Sequence, residues 1–342
     1  MDGKTVDIVT NPGNPRREFL RQVGLLTGGA AVLGLAPFPH LALAADQRTY
    51  ASGHFALELD GQNLGYLKSF EGGFARAEVV TEQVGNVTFA KKHIASVRYQ
   101  DIVLQTEPIM PKPLNDWVAA MLSGNPLRKN GAIVTASFDN KEQSRLQFNN
   151  ALISEVTFPA CDASSKEAAY LTIKLSPENS TPLAGSMAPM KADMSGSAKQ
   201  KQWLPANFRF TIPGIDCSKV AKIDAFTVKN TIREDQVGKL RETTKEPAKL
   251  EFPNLSLSVA EVGAGGFYAW FQDMVIKGNS TDKNERQGKL ELLGPDMKTV
   301  LFTLNFQNLG IFGFTPDKVD ANKEQIRRVS IDLYCERITI GA

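Results

Sequence analysis

The chain of 342 residues is poor in the side chains that most often carry chemistry, with three histidines and three cysteines. His40 lies near the N-terminus, His54 precedes a first candidate strand, and His93 follows Lys91-Lys92 in a polar stretch. Neither His54 nor His93 has a Cys, Asp or second His at ligand spacing, so no familiar zinc or His-based catalytic arrangement is present. Gly263-Ala264-Gly265-Gly266 lacks the Lys-Ser/Thr of a phosphate-binding loop and reads as a flexible turn. Charge of one sign is missing too. A formal net charge of +2 gives no reason to expect a nucleic-acid partner. Nothing calls for a cofactor, and an enzyme is not expected. Of the cysteines, Cys161 stands apart, while Cys217 and Cys335 would pair or remain isolated thiols depending on compartment.

What the chain does have is one helical pattern twice. Leu114, Trp117, Val118, Met121 and Leu122 follow the i, i+3, i+4, i+7, i+8 spacing of a helix with one apolar stripe. Phe267, Trp270, Phe271, Met274 and Val275 repeat that spacing 153 residues later, and both runs are followed by Gly-Asn, the pair that tolerates the left-handed turn closing a helix. The core helix positions are therefore Trp117, Met121, Trp270 and Met274.

The flanks keep the interval. Phe55–Gly61 lies opposite Phe208–Gly214, each an alternating strand running into a glycine turn. Tyr99, Ile102 and Leu104 lie opposite Phe252, Leu255 and Leu257, with one residue too many for strict alternation, which suggests a shared β-bulge. Downstream the interval grows slightly: Leu146 to Asn150 matches Leu304 to Asn308. The chain thus reads as two tandem units of about 130–140 residues.

Strands are expected near 54–60, 64–72, 76–83, 96–105, 131–138, 144–150 and 169–175, with a long mixed excursion through Glu78, Val84 and Phe89. Seven strands and one helix per unit argue for a mainly β fold, two sandwich- or barrel-like domains each flanked by one α-helix. Arg98, Asp101 and Gln105 in the first unit, and Glu251, Asn254, Ser256 and Ser258 in the second, lie on the polar side of the strand before the helix. Such a strand suits the wall of a water-filled channel and equally any solvated sheet.

The N-terminus is a different kind of segment. Arg16-Arg17, then Phe19-Leu20, a glycine-rich apolar run from Val23 to Ala36 and Ala42-Leu43-Ala44 resemble a twin-arginine export signal. Pro15 and Arg21 depart from its common pattern, and the apolar run is short for a transmembrane span. The expected organisation is a signal over 1–44, domains over 50–176 and 207–342, and a flexible Ser/Pro/Met-containing linker over 177–206. Met187, Met190 and Met194 in that linker are candidate Cu(I) ligands, though methionines serve as adaptable packing as well.

The order Phe55–Gly65, Phe70-Glu71-Gly72-Gly73, Glu78–Glu82, Ile102–Leu104, the Trp117 helix and Phe148-Asn149-Asn150-Ala151 resembles tail tube proteins of contractile phage tails and related injection systems. The resemblance covers most of 54–176 and, more weakly, 207–338. It implies a structural protein whose copies form rings with a continuous inner barrel. It also implies an assembly loop at about Ala75–Ala95, with Glu78, Glu82, Val84, Phe89, Lys91 and Lys92, contacting the next ring. The polar strand positions would then face the lumen. A two-domain chain would close a pseudo-hexamer from three copies, with other tail-like or envelope proteins as further partners. Export points to a periplasmic or extracellular site, whereas the family itself points to a virion or injection particle assembled in the cytoplasm. A monomeric exported two-domain module binding a glycan, metal or protein is the alternative function.

Overall fold

Alternating apolar residues build most of the chain, and in the computed structural model they form twenty strands among the described residues. The structure describes residues 53–83, 85, 88–190, 203–236, 243–318 and 326–341. All belong to one unit, Ala44–Ala342. The expected export signal, Val84 and Met194 lie outside the described residues.

The first half contains β1 (His54–Leu59), β2 (Gln62–Leu67), β3 (Ser69–Gly72), β4 (Ala75–Glu82), β5 (Lys91–Tyr99), β6 (Ile102–Thr106) and helix α1 (Lys112–Leu122). It continues with β7 (Lys129–Ala136), β8 (Glu142–Phe158), β9 (Cys161–Asp162), β10 (Leu171–Ser176) and β11 (Asn179–Ala184). The second half contains β12 (Phe208–Thr211), β13 (Val220–Ile223), β14 (Phe226–Gln236), β15 (Thr243–Glu251), β16 (Leu255–Ala260) and α2 (Gly265–Phe271), which runs into a π turn (Gln272–Ile276). β17 (Arg286–Leu293), β18 (Val300–Pro316), β19 (Arg328–Tyr334) and β20 (Arg337–Ile340) complete it.

The two large sheets share one pairing order. Strands run β1-β7-β8-β10-β6-β3 in one and β12-β17-β18-β19-β16-β13 in the other, with β11 on β8 and β20 on β18. Strand β2 extends the first sheet only. β8 and β18 each serve two layers. Residues up to Ala151 pair with β7 and β11, and residues from Leu152 pair with β10. The corner falls at Asn150 (φ 50°) and, in β18, at Asn308 (φ 54°), where asparagine tolerates the left-handed backbone that a bulge requires.

Helix α1 buries all five stripe residues, and Trp117 Nε1 donates to Leu127 O at 2.7 Å. The matching bond from Trp270 goes to Asn284 O at 3.2 Å. In the second helix Phe267, Trp270 and Met274 are buried but Val275 is 43 % exposed, contrary to the expected stripe. The π turn widens the helical repeat and rotates Val275 off the core face. Apolar side chains from both halves form one continuous core. A chain of rings joins the halves: Phe158 stacks on Phe226 at 5.1 Å, and Phe226 meets Phe306 at 5.9 Å.

Three expected boundaries differ. The strand over 64–72 is two strands that pair in different places, β2 on β1 and β3 on β6. The strand over 96–105 also divides, so the extra residue read as a bulge is the gap between the β4–β5 hairpin and the sheet strand β6. The expected linker begins with an ordered strand, because β11 satisfies its backbone on β8 from Asn179 to Ala184.

Candidate assembly surface

Two hairpins occupy matching places in the chain, and only one is covered. β14 pairs with β15 from Lys229↔Glu251 to Gln236↔Thr243, and β4 with β5 from Ala75↔Tyr99 to Glu82↔Lys91, each with one register shift near its middle. The start of β14 adds to the free edge of β8, with Phe226 opposite Phe158 and Lys229 opposite Glu155. β4 and β5 pair only with each other.

The covered hairpin is fastened by several interactions. Val228 is fully buried and Asn230 Nδ2 donates to Ile153 O at 3.1 Å. Thr157 and Thr227 hydroxyls meet at 2.8 Å. The Lys245 side chain is 3 % exposed; its Nζ donates to Ser176 Oγ at 2.9 Å and lies 3.6 Å from Glu234 and 3.9 Å from Asp101. Its backbone N–H donates to Glu178 at 3.1 Å. Arg128 reaches across to Glu246 at 2.6 Å and to Lys245 O at 2.7 Å. A buried lysine is tolerable only with such partners.

The uncovered hairpin carries the expected assembly residues. Glu78 accepts from Ser96 Oγ at 3.0 Å, and Glu82 lies 3.8 Å from His93 Nε2. Lys91 and Lys92 are exposed. Phe74 is 50 %, Val79 58 %, Phe89 69 % and Ile94 61 % exposed. The expected loop over Ala75–Ala95 is therefore mostly a two-stranded ribbon, because Ala75–Glu82 pairs with Lys91–Tyr99. Exposed apolar side chains on and beside strands with open backbone edges are a feature of unfinished sheets.

The expected channel-facing residues lie on β5, β6 and the link between them, and on β15, β16 and the link between those. Gln105 accepts from Ser69 Oγ at 3.0 Å, and the register carries the row on through Thr172, Thr157 and Thr227. Asp101 accepts from Ser176 Oγ at 2.7 Å and lies 3.6 Å from Lys174 Nζ. Asp101 and Lys174 line a cleft of about 260 Å³ with Glu155, Lys229 and Glu234. Arg98 lies 3.8 Å from Glu234, and Glu251 lies 2.8 Å from Lys249. Ser256 Oγ donates to Asp332 at 3.0 Å, Ser258 stands between Lys222 and Ser330, and Asn254 is exposed before β16. Lys174, Glu155 and Lys229 were not anticipated, although alternation in Leu171–Ser176 marks Lys174 as facing out.

This surface pairs charges, as at Lys174 with Asp101 and Glu155. The three cysteines are free thiols. Burial pushes Cys161 and Cys335 up to about 12 and raises Cys217 as well, leaving all three as thiols at neutral pH. Among the described residues no three His, Cys, Asp or Glu side chains gather as metal ligands, and no helix is long and apolar enough to cross a membrane. Met187 and Met190 use their backbone N–H groups to tie the segment after β11 to Glu142 O and Asn140 O.

The family model of the T4-like virus tail tube protein gp19 matches residues 51–181. Solved structures similar to this chain include a sheath–tube complex of an extracellular contractile injection system, at 16% identity and TM-score 0.35, covering 45% of this chain and 99% of that one. The cap of the anti-feeding prophage is 19% identical with TM-score 0.36, covering 42% of this chain and 100% of that one. Hcp1 from Flavobacterium johnsoniae is 14% identical with TM-score 0.24, covering 39% and 94%. No curated protein matches the chain. The matched stretch ends inside β11, the strand that follows the expected domain end.

Proposed function

We propose that this chain is a structural, non-enzymatic tube protein made of two tail tube units in tandem, and that its copies assemble into rings. The observation that carries the reading is the unequal fate of its two hairpins. β14–β15 is capped by the chain's own first half, while β4–β5 presents paired strands flanked by exposed Phe74 and Phe89, with no covering sheet among the described residues. A unit that covers its neighbour's edge internally leaves one edge open at each end of the chain, and a head-to-tail contact that closes on itself makes a ring. Three chains would supply six units around the ring.

The shared strand order of the two sheets supports the tandem reading over the second half, which the family model does not reach. In the ring the polar row from Ser69 to Thr227 and its counterparts at Lys222, Ser258, Ser330 and Thr315 would face a wet lumen. The N-terminal arginine pair and Ala-Leu-Ala site support export and thus an assembly outside the cytoplasm. Other tail-like or envelope proteins would then be its further partners. Size-exclusion chromatography with light scattering tests assembly: a trimer-sized closed species supports the reading, and a monomer across all concentrations overturns it.

A further inference from the structure

We propose that the edge of β18 at Gly313–Pro316 in one copy receives strand β4 of the next, in the register that β14 takes on β8, with Arg76 meeting Asp332 across the seam. The inference rests on the ring reading above and goes on to name the residues that join.

The chain supplies its own template. Leu146, Phe148 and Asn150 of β8 correspond to Leu304, Phe306 and Asn308 of β18, so Glu155–Phe158 corresponds to Gly313–Pro316. The start of β14, Phe226–Lys229, corresponds to Gly73–Arg76. β18 from Gly310 to Pro316 pairs with β19 on one side, and among the described residues no strand pairs with the other. Transferring the register sets Arg76 opposite Gly313, Ala75 opposite Phe314 and Phe74 opposite Thr315. Phe312, beside this edge, is 46 % exposed, as an apolar edge awaiting a strand would be.

Charge obeys the same transfer. Inside the chain, cationic Lys229 arrives opposite Glu155. Gly313 has no side chain, but the Asp332 carboxylate leans over it, so that a Cβ at Gly313 would stand 2.6 Å from Asp332 Oδ2. The acid that β8 supplies from its own strand is supplied to β18 by its neighbour β19. On the incoming hairpin Arg76 stands directly opposite Arg98, an unfavourable like-charge pair where the covered hairpin has Lys229 opposite Glu251. Arg98 has Glu234 at 3.8 Å; Arg76 has no ion pair among the described residues. Asp332 of the next copy is the missing acid.

Two further sites agree. Asn150 Nδ2 donates to one oxygen of Glu178 and Lys245 N–H donates to the other. Asn308 Nδ2 donates to Glu336 Oε2 in the same way, which leaves the other oxygen for the backbone N–H of Lys92, the counterpart of Lys245. Arg128, which holds Glu246, corresponds to Glu285, and Glu246 to His93. Glu285 accepts from Tyr334 Oη at 2.8 Å through Oε1, while its Oε2 is buried without a hydrogen bond. His93 of the next copy would offer a ring N–H to that oxygen, with the acid standing on the opposite side of the seam from Glu246 of the internal pair.

Cysteine pairing tests the register. In a Cys217→Ser background, Phe74→Cys with Thr315→Cys should oxidise to covalent dimers and closed trimers, because directly opposed residues fall within disulfide reach. Arg76→Cys with Thr315→Cys, displaced along the strand, should not. Arg76→Asp and Asp332→Arg should each weaken assembly by about tenfold or more, and the double exchange should restore it. Unchanged melting of the monomeric variants keeps misfolding apart from lost assembly. If the native chain forms rings but the opposed pair links no better than the displaced pair and the double exchange does not rescue, the seam is wrong and the ring reading stands. If the native chain forms no rings, both fall.

Discussion

Lys92 and Lys245 occupy corresponding positions, one exposed on an uncovered hairpin and one held among Ser176, Asp101 and Glu234. Lys245→Ala removes a buried partner from two partly exposed carboxylates and should destabilise the monomer by about 1–3 kcal/mol, read by urea unfolding. Lys92→Ala should leave that unfolding curve within about 0.5 kcal/mol of the parent. Glu142 offers a second check. Burial raises its pKa, yet hydrogen bonds from Arg145 and Ser186 with the charge of Arg145 outweigh it, and the carboxyl ends below its ordinary 4.5. A depressed carboxyl stabilises the fold above its unfolded value and ceases to do so as pH falls through the folded one. Glu142→Gln should therefore cost about 1 kcal/mol at pH 7, with the difference from the parent vanishing well below pH 4.5. The sequence pointed to Trp117 and Trp270 through helical spacing, and both tryptophans close the same bond to a carbonyl beyond the helix. It gave no sign that Lys245 is buried, because its ammonium is met by Ser176 and Asp101, far off in the chain, as well as by Glu234 across the hairpin.

Among the elements, the helices and the central strands were legible because each has a strong period and one apolar face. The π turn in the second helix was not, since five apolar positions kept helical spacing while the backbone hydrogen bond from Lys277 to Gln272 widened the turn. The division between β5 and β6 was hidden for a similar reason: Gln100-Asp101 is short enough to pass for a bulge, and only pairing tells a bend within a sheet from a passage between a hairpin and a sheet. The hairpins give the sharpest contrast at this scale. Replacing the β4–β5 ribbon by a short Gly-Ser turn should spare the fold and abolish assembly, as judged by circular dichroism and light scattering. The same replacement of β14–β15 should expose Phe158 and the edge of β8 and lower the melting temperature of the monomer.

At the scale of the whole molecule, one core runs through both halves, so the chain behaves as a joined pair whose inner seam is already made. The ring reading requires the same contact twice over, once within the chain and once between chains, and it gives the exposed Phe74, Val79, Ile94 and Phe312 a common purpose. Scattered singly, such residues would need no explanation; on the ring reading those on the hairpin and the one at the β18 edge are the two sides of one contact. The most direct test is negative-stain electron microscopy of the purified chain over a range of concentrations. The account predicts closed rings with a central opening and six lobes contributed by three chains. Separate two-lobed particles at every concentration would contradict it.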